Sequence, residues 1–237
     1  MAQGKLTGDR EAFFSAIRNR IKTPPGSKAG RVENPMDGLF TERGTTVEER
    51  RELRERFIKE WKALGGQAFS VGNRDELANA LTAIIRERGI QQAVRWDHPE
   101  LEKLNLREIF AQAEAKLFVW PLATGRQEWI PSAESMEAGV VWGDIAMAET
   151  GTLVLPGGAG QPTTVSILPI TLIAVFTTAQ LVDGFYSVMK LLKQRYGTKL
   201  PTTTTFIAGP SRTSDIEMDL TIGVHGSKYV YVCIMDE

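Results

Sequence analysis

Apolar positions in this chain recur with two periods, one helical and one strand-like, and their alternation sets the expected architecture. Phe13, Ile17 and Ile21 fall at i, i+4 and i+8 behind Asp9, which predicts a short amphipathic helix over 9–21. Residues 23–44 hold three prolines and four glycines without apolar periodicity, so they read as an extended arm. The expected division is therefore an N-terminal helix and arm over 1–45, followed by an α/β domain over 46–237.

The domain opens on a strong local signal. Thr46 and Glu49 have capping-box spacing, and Leu53, Phe57, Trp61 and Leu64 line one helix face before Gly65-Gly66. QAFSV (67–71) then reads as a strand. Asn73 caps a helix carrying Leu77, Leu81, Ile84 and Ile85 as far as Gly89, and QAVRW (92–96) reads as the next strand. A short helix with Leu106, Ile109 and Phe110 follows Asn105, and KLFVW (116–120) is a further strand. Beyond it, AGVVWG, GTLVLP, TLIAVF, TTTFIAG and YVYVCIM are strand-like. They are interrupted by one long helix around 178–196 and a short one starting near Ser214. The threonine run before Phe206 is β-branched, so the sheet is expected to include 203–208. The fold class is α/β, a layered sheet with flanking helices, plus the N-terminal helical arm.

Composition narrows the function classes. With 42% hydrophobic and 24% charged residues, the 237-residue chain has the make-up of a globular protein with one main core. A net charge of −1 argues against duplex nucleic acid as the main partner, since that affinity needs a clustered excess of Lys and Arg. No apolar run reaches the roughly 18 residues of a membrane span, and the start has no signal-peptide core, so a cytoplasmic protein is expected. Cys233 stands alone within YVYVCIM. It can make no internal disulfide and cannot supply the thiolates of an iron–sulfur cluster, and it reads as a buried strand residue. His98 and His225 have no metal-ligand spacing, so no metal site is expected. Nucleophile-elbow, zinc-hydrolase and P-loop patterns are all missing.

Three segments have candidate chemistry. Glu149-Thr150-Gly151-Thr152 separates two strand-like runs and reads either as a simple turn or as a strand-end ligand loop offering a carboxylate, hydroxyls and amides. The Gly157-Gly158-Ala159-Gly160 loop reads as a hairpin or lid before a phosphate loop, because Pro162 stands where a helix would need to start. In IAGPSRTSDIE, Ser214 and Glu217 have capping-box spacing. A helix N-terminus there would face the strand end at Gly209-Pro210, with Ser211, Thr213 and Arg212 beside it for an anion, although Asp215 and Glu217 would oppose one. His225, in Gly223-Val224-His225-Gly226, is either a hydrogen-bonded turn residue or a binding group, and His98 reads as a turn residue before Pro99.

Taken together, GDIAMAETGTLVLP (143–156) and FIAGPSRTSDIEMDLTIGVHG (206–226) resemble the paired signature of the LUD-domain, lactate-utilization protein C family. The resemblance is good over 135–236 and looser from about residue 46. It implies a NagB/RpiA/CoA-transferase-like fold and a role in an iron–sulfur system that oxidises L-lactate to pyruvate. The clusters would then lie on partner subunits, with no cofactor in this chain. The matching positions are Ala148, Glu149, Thr150, Gly151 and Thr152, then Gly209, Pro210, Ser211, Asp215, Glu217, His225 and Gly226. Arg212 joins them as a ligand-binding candidate, and Glu149 is the best candidate for a catalytic group. The family tends to place an Arg and a His where this chain has Thr164 and Leu172. The alternatives are a stand-alone enzyme of CoA-transferase fold acting on a small carboxylate or phosphate, and a non-catalytic ligand-binding module.

Overall fold

The computed structural model describes residues 46–120, 135–158, 160–214, 220–223 and 226–236, with Ser15 as an isolated helical residue. The chain divides between Thr41 and Glu42, and the elements that follow belong to the unit from Glu42 onward. Apart from Ser15, the predicted N-terminal helix lies outside the described residues, as do the arm over 23–44, Asp215, Glu217 and His225.

Helix α1 (Val47–Ala63) starts at the predicted capping box. The Thr46 hydroxyl accepts from the Glu49 amide while the Glu49 carboxylate accepts from the Thr46 amide, which satisfies two of the free donors at the helix start. Its buried face is Leu53, Phe57 and Trp61. Strand β1 (Gln67–Val71), helix α2 (Arg74–Arg88, capped by Asn73 and closed by left-handed Gly89) and strand β2 (Gln92–Arg95) follow as predicted. Then come α3 (Pro99–Lys103), α4 (Leu106–Gln112), β3 (Lys116–Val119) and β4 (Ala138–Trp142). Strands β5 (Ile145–Met147) and β6 (Thr152–Pro156), helix α5 (Thr163–Ile167) and strand β7 (Thr171–Thr177) come next. The described chain continues through β8 (Leu181–Val182), α6 (Phe185–Tyr196), β9 (Thr204–Ile207), β10 (Arg212–Ser214), β11 (Leu220–Ile222) and β12 (Tyr229–Met235).

Six strands form a parallel sheet in the order β1-β12-β7-β4-β2-β3, and β8-β5-β6-β9 form a second sheet. The inner strands β4, β7 and β12 are almost wholly buried, as expected of parallel strands covered on both faces, and their continuous apolar runs reflect it. Phe57 links the helical layer to the sheet, stacked on Trp61 at 5.7 Å and edge-on to Phe176 at 5.6 Å. Gly139 in β4 gives α5 its close seat, because a β-carbon there would lie 1.8 Å from the Val165 carbonyl oxygen.

Two local expectations are corrected. The predicted helix over 178–196 begins only at Phe185. Residues 178–180 form a 3₁₀ turn capped by Thr177, and Leu181-Val182 pair with Ala146-Met147 as buried strand. Burying two apolar residues in the second sheet outweighs the local preference for a longer helix. The short helix expected near Ser214 falls on residues 215–219, outside the described residues. Arg212–Ser214 pair antiparallel with Leu220–Ile222. Pro162, read as an obstacle to a helix, is the N-cap of α5, a position where its extended backbone is accommodated.

Candidate functional site

The two motif segments meet on the last turn of α1. Residues 148–151 connect β5 to β6 as a tight antiparallel turn, with Met147 opposite Thr152. At its tip Gly151 has φ +57°, and a β-carbon there would stand 2.4 Å from the Trp61 amide nitrogen. Thr150 and Thr152 share a hydroxyl hydrogen bond at 2.7 Å. Glu149 is exposed, its amide donates to the Asp183 carbonyl at 2.8 Å, and its carboxylate lies against Gly184.

Strand β6 pairs with β9, which carries the chain from beside that turn into the second motif. Gly209, with φ +79°, packs on Leu64, where a β-carbon would approach the Leu64 side chain to 2.8 Å and its carbonyl oxygen to 3.0 Å. Arg212 donates to the same carbonyl at 2.6 Å, so it caps the end of α1. Arg212→Ala should therefore cost about 1 kcal/mol of stability in a urea titration, through the lost charge-assisted bond.

Beside this junction lies a cleft of about 370 Å³. Its walls include Leu172, Ile207, Gly209, Ser211, Arg212 and Ser227. Ser227 is buried and donates to the Pro169 carbonyl at 2.8 Å, and its own carbonyl accepts from the Ser211 amide at 3.0 Å. Leu172 makes one wall apolar. Thr164 has a buried hydroxyl with no hydrogen-bond partner among the described residues. The cleft opens near the amino ends of β7 and β12. In the glycine loop Gly158 and Gln161 exchange backbone hydrogen bonds at 3.3 and 3.0 Å.

A second polar group stands at the carboxyl ends of the parallel strands, and the sequence reading did not unite its members. His98, just past β2, is the N-cap of α3, and its Nδ1 accepts from the Glu100 amide at 3.2 Å. The neutral imidazole proton is thereby assigned to Nε2, which faces Asp144 Oδ1 at 3.9 Å. The ring stacks on Trp142 at 5.7 Å and 15°. Asp144 follows β4, with 17% of its side chain exposed, and burial pushes its carboxyl up to about 6 against a partial offset from Arg195. Burial also lowers His98, and it raises Tyr196 with further help from the Asp144 charge. Polar residues within three positions of two strand ends, in WDHP after QAVR and GD after AGVVW, were the available signal. Nothing local pointed to Arg195, at the end of α6.

Among the described residues no group of three or more His, Cys, Asp or Glu side chains could hold a metal ion, and no helix is long and apolar enough to cross a membrane. Cys233 is buried in β12 between β1 and β7, and burial pushes its thiol up to about 12.

Comparison with known proteins extends this description. The chain matches the LUD domain family over residues 54–235. It is 33% identical over 168 residues to a protein of Geobacillus sp. (strain WCH70) named lactate utilization protein C, covering 68% of this chain and 69% of the relative. A protein of the same name from Anoxybacillus flavithermus is 34% identical over 169 residues, covering 71% and 74%. A crystal structure of a DUF162 family protein from Deinococcus radiodurans shares the fold, with a TM-score of 0.56 and 18% identity, over 78% of this chain and 98% of that one.

Proposed function

This chain belongs to the LUD domain family, and from that membership we propose that it serves lactate utilization as a subunit or accessory protein of a system oxidising L-lactate to pyruvate. The observation that carries this reading is the kinship, over some two thirds of each chain, with proteins named lactate utilization protein C. In this reading the iron–sulfur clusters reside on partner subunits, since Cys233 is a buried thiol that offers no thiolate near neutral pH. The cleft beside Gly209, Ser211 and Arg212 holds a small ligand, and the exposed Glu149 and Thr150 are available at the neighbouring turn.

Deleting the gene from a host without a second copy is expected to abolish growth on L-lactate and leave growth on glucose intact. The full chain, purified by affinity from lactate-grown cells, is expected to bring down cysteine-rich partners with iron–sulfur absorbance. Normal lactate growth of the deletion strain would remove the reading.

A further inference from the structure

The strand-end group is built like a binding site, and its position in the sheet is the first reason. The chain leaves β2 toward β3 at one edge of the sheet and leaves the adjacent β4 toward β7 on the other side. Connections that diverge in this way open a crevice beyond the carboxyl ends of the two strands, which is where open α/β sheets bind ligands. His98 follows β2 and Asp144 follows β4, so both stand at that divergence.

The second reason is unfinished chemistry. Asp144 Oδ2 is buried and has no hydrogen-bond partner among the described residues, while its Oδ1 is 3.9 Å from His98 Nε2 and 4.0 Å from Arg195 Nη1, both too long for a hydrogen bond. A buried carboxylate oxygen without a donor is an expensive feature for a fold to keep. A ligand hydroxyl would supply the donor. Arg195 is 41% exposed, and of its five N–H groups one makes a long contact of 3.5 Å with the Asp144 carbonyl. Its guanidinium fork is therefore suited to an anion arriving from solvent.

We propose that His98, Asp144 and Arg195 form a binding site for a small 2-hydroxycarboxylate, with the ligand hydroxyl donating to Asp144 and its carboxylate paired with Arg195. His98 presents Nε2–H toward Asp144 Oδ1 at 3.9 Å, held by its Nδ1 bond to the Glu100 amide and by stacking on the Trp142 ring. Arg195 Nη1 lies 4.0 Å from Asp144 Oδ1, a span that a hydroxyl and a carboxylate on neighbouring carbons can bridge. An acid lacking the hydroxyl meets the Asp144 charge with no donor to offer and is rejected, as sites built around a hydroxyl reject its deoxy analogue. The choice of a 2-hydroxycarboxylate among hydroxylated anions rests on the lactate-utilization reading, whereas the site itself rests on geometry.

The test is calorimetric titration of the full chain with L-lactate, glycolate and propionate, the last being lactate without its hydroxyl. L-lactate and glycolate are expected to bind, and propionate at least about tenfold more weakly. Asp144→Asn and Arg195→Gln should each weaken lactate binding about tenfold or more, while Arg107→Gln, on the exposed face of α4, leaves it unchanged. Equal affinity for propionate and lactate, unaltered binding in both site variants, or no binding of either hydroxy acid would overturn the proposal. Binding of glycolate without lactate would keep the site and count against the lactate reading, which the deletion strain tests independently.

Discussion

Asp144→Asn is expected to make the protein more stable at neutral and alkaline pH. Folding raises the Asp144 carboxyl from 3.8 to about 6, chiefly by burial, so the native state holds the proton more tightly than the unfolded chain. Below about pH 4 the group is protonated in both states and burying it as an anion costs nothing. Between about 4 and 6 the unfolded chain ionises first, and stability falls as pH rises. Above about 6 the full cost is present, about 3 kcal/mol from a shift of that size. The amide variant keeps the shape of the side chain and removes the charge, so at pH 8 it should gain up to that amount, about 6–12 °C in Tm for a chain of this length. The gain should shrink to near zero by pH 4. Thermal melts of both proteins at pH 4, 6 and 8 measure it, and a variant no more stable than wild type at pH 8 would show that the carboxylate is paired or hydrated after all. A charge kept at such a cost, at a strand end where the chain reverses its direction of connection, is what a binding site requires and what a purely structural position would have lost.

Gly151→Ala should have a comparable effect of opposite sign. The backbone at Gly151 is left-handed, and its new β-carbon would stand 2.4 Å from the Trp61 amide nitrogen and 2.8 Å from the Glu60 carbonyl carbon. Neither neighbour can yield easily. Trp61 is fully buried, stacked on Phe57, and bonded from its indole N–H to the Gln67 carbonyl at 3.1 Å. Relief requires moving the turn off α1 or moving α1 off the sheet, and overpacking together with the positive φ should cost about 3 kcal/mol. A drop in Tm of about 6–12 °C follows. Thr150→Ala, at the exposed neighbouring position, should change stability by less than about 1 kcal/mol. If Gly151→Ala left the melting curve untouched, the turn would not be clamped on α1, and its glycine would have to be explained by a ligand alone.

These two substitutions separate the kinds of information in the motifs. In the sequence ETGT reads as a simple turn or a strand-end ligand loop, and GPSR as the step from a strand to a helix N-terminus with anion-binding candidates beside it. Their glycines and Arg212 turn out to share one packing task, closing over Glu60, Trp61 and Leu64 at the end of α1. That is a tertiary reason for two distant motifs to occur together, and it operates whether or not Glu149 and Ser211 also touch a ligand. The group at the other end of the strands needed His98, Asp144 and Arg195 to be gathered from three separate elements. Spacings of 46 and 51 residues carry no periodic signal.

What the sequence determined by itself was the set of local elements and the fold class. The capping box at Thr46, the Asn73 cap, the apolar face of α1 and the continuous apolar runs of β4, β7 and β12 depend on neighbours in the chain or on burial on both faces, so residue order is enough to read them. Only the tertiary structure decided that Leu181-Val182 join a sheet and that the chain diverges between β2 and β4. Each of those outcomes rests on partners far away in sequence, whose hydrogen bonds and burial outweigh a local propensity worth only a few tenths of a kcal/mol per residue, about 0.7 at most for ordinary residues.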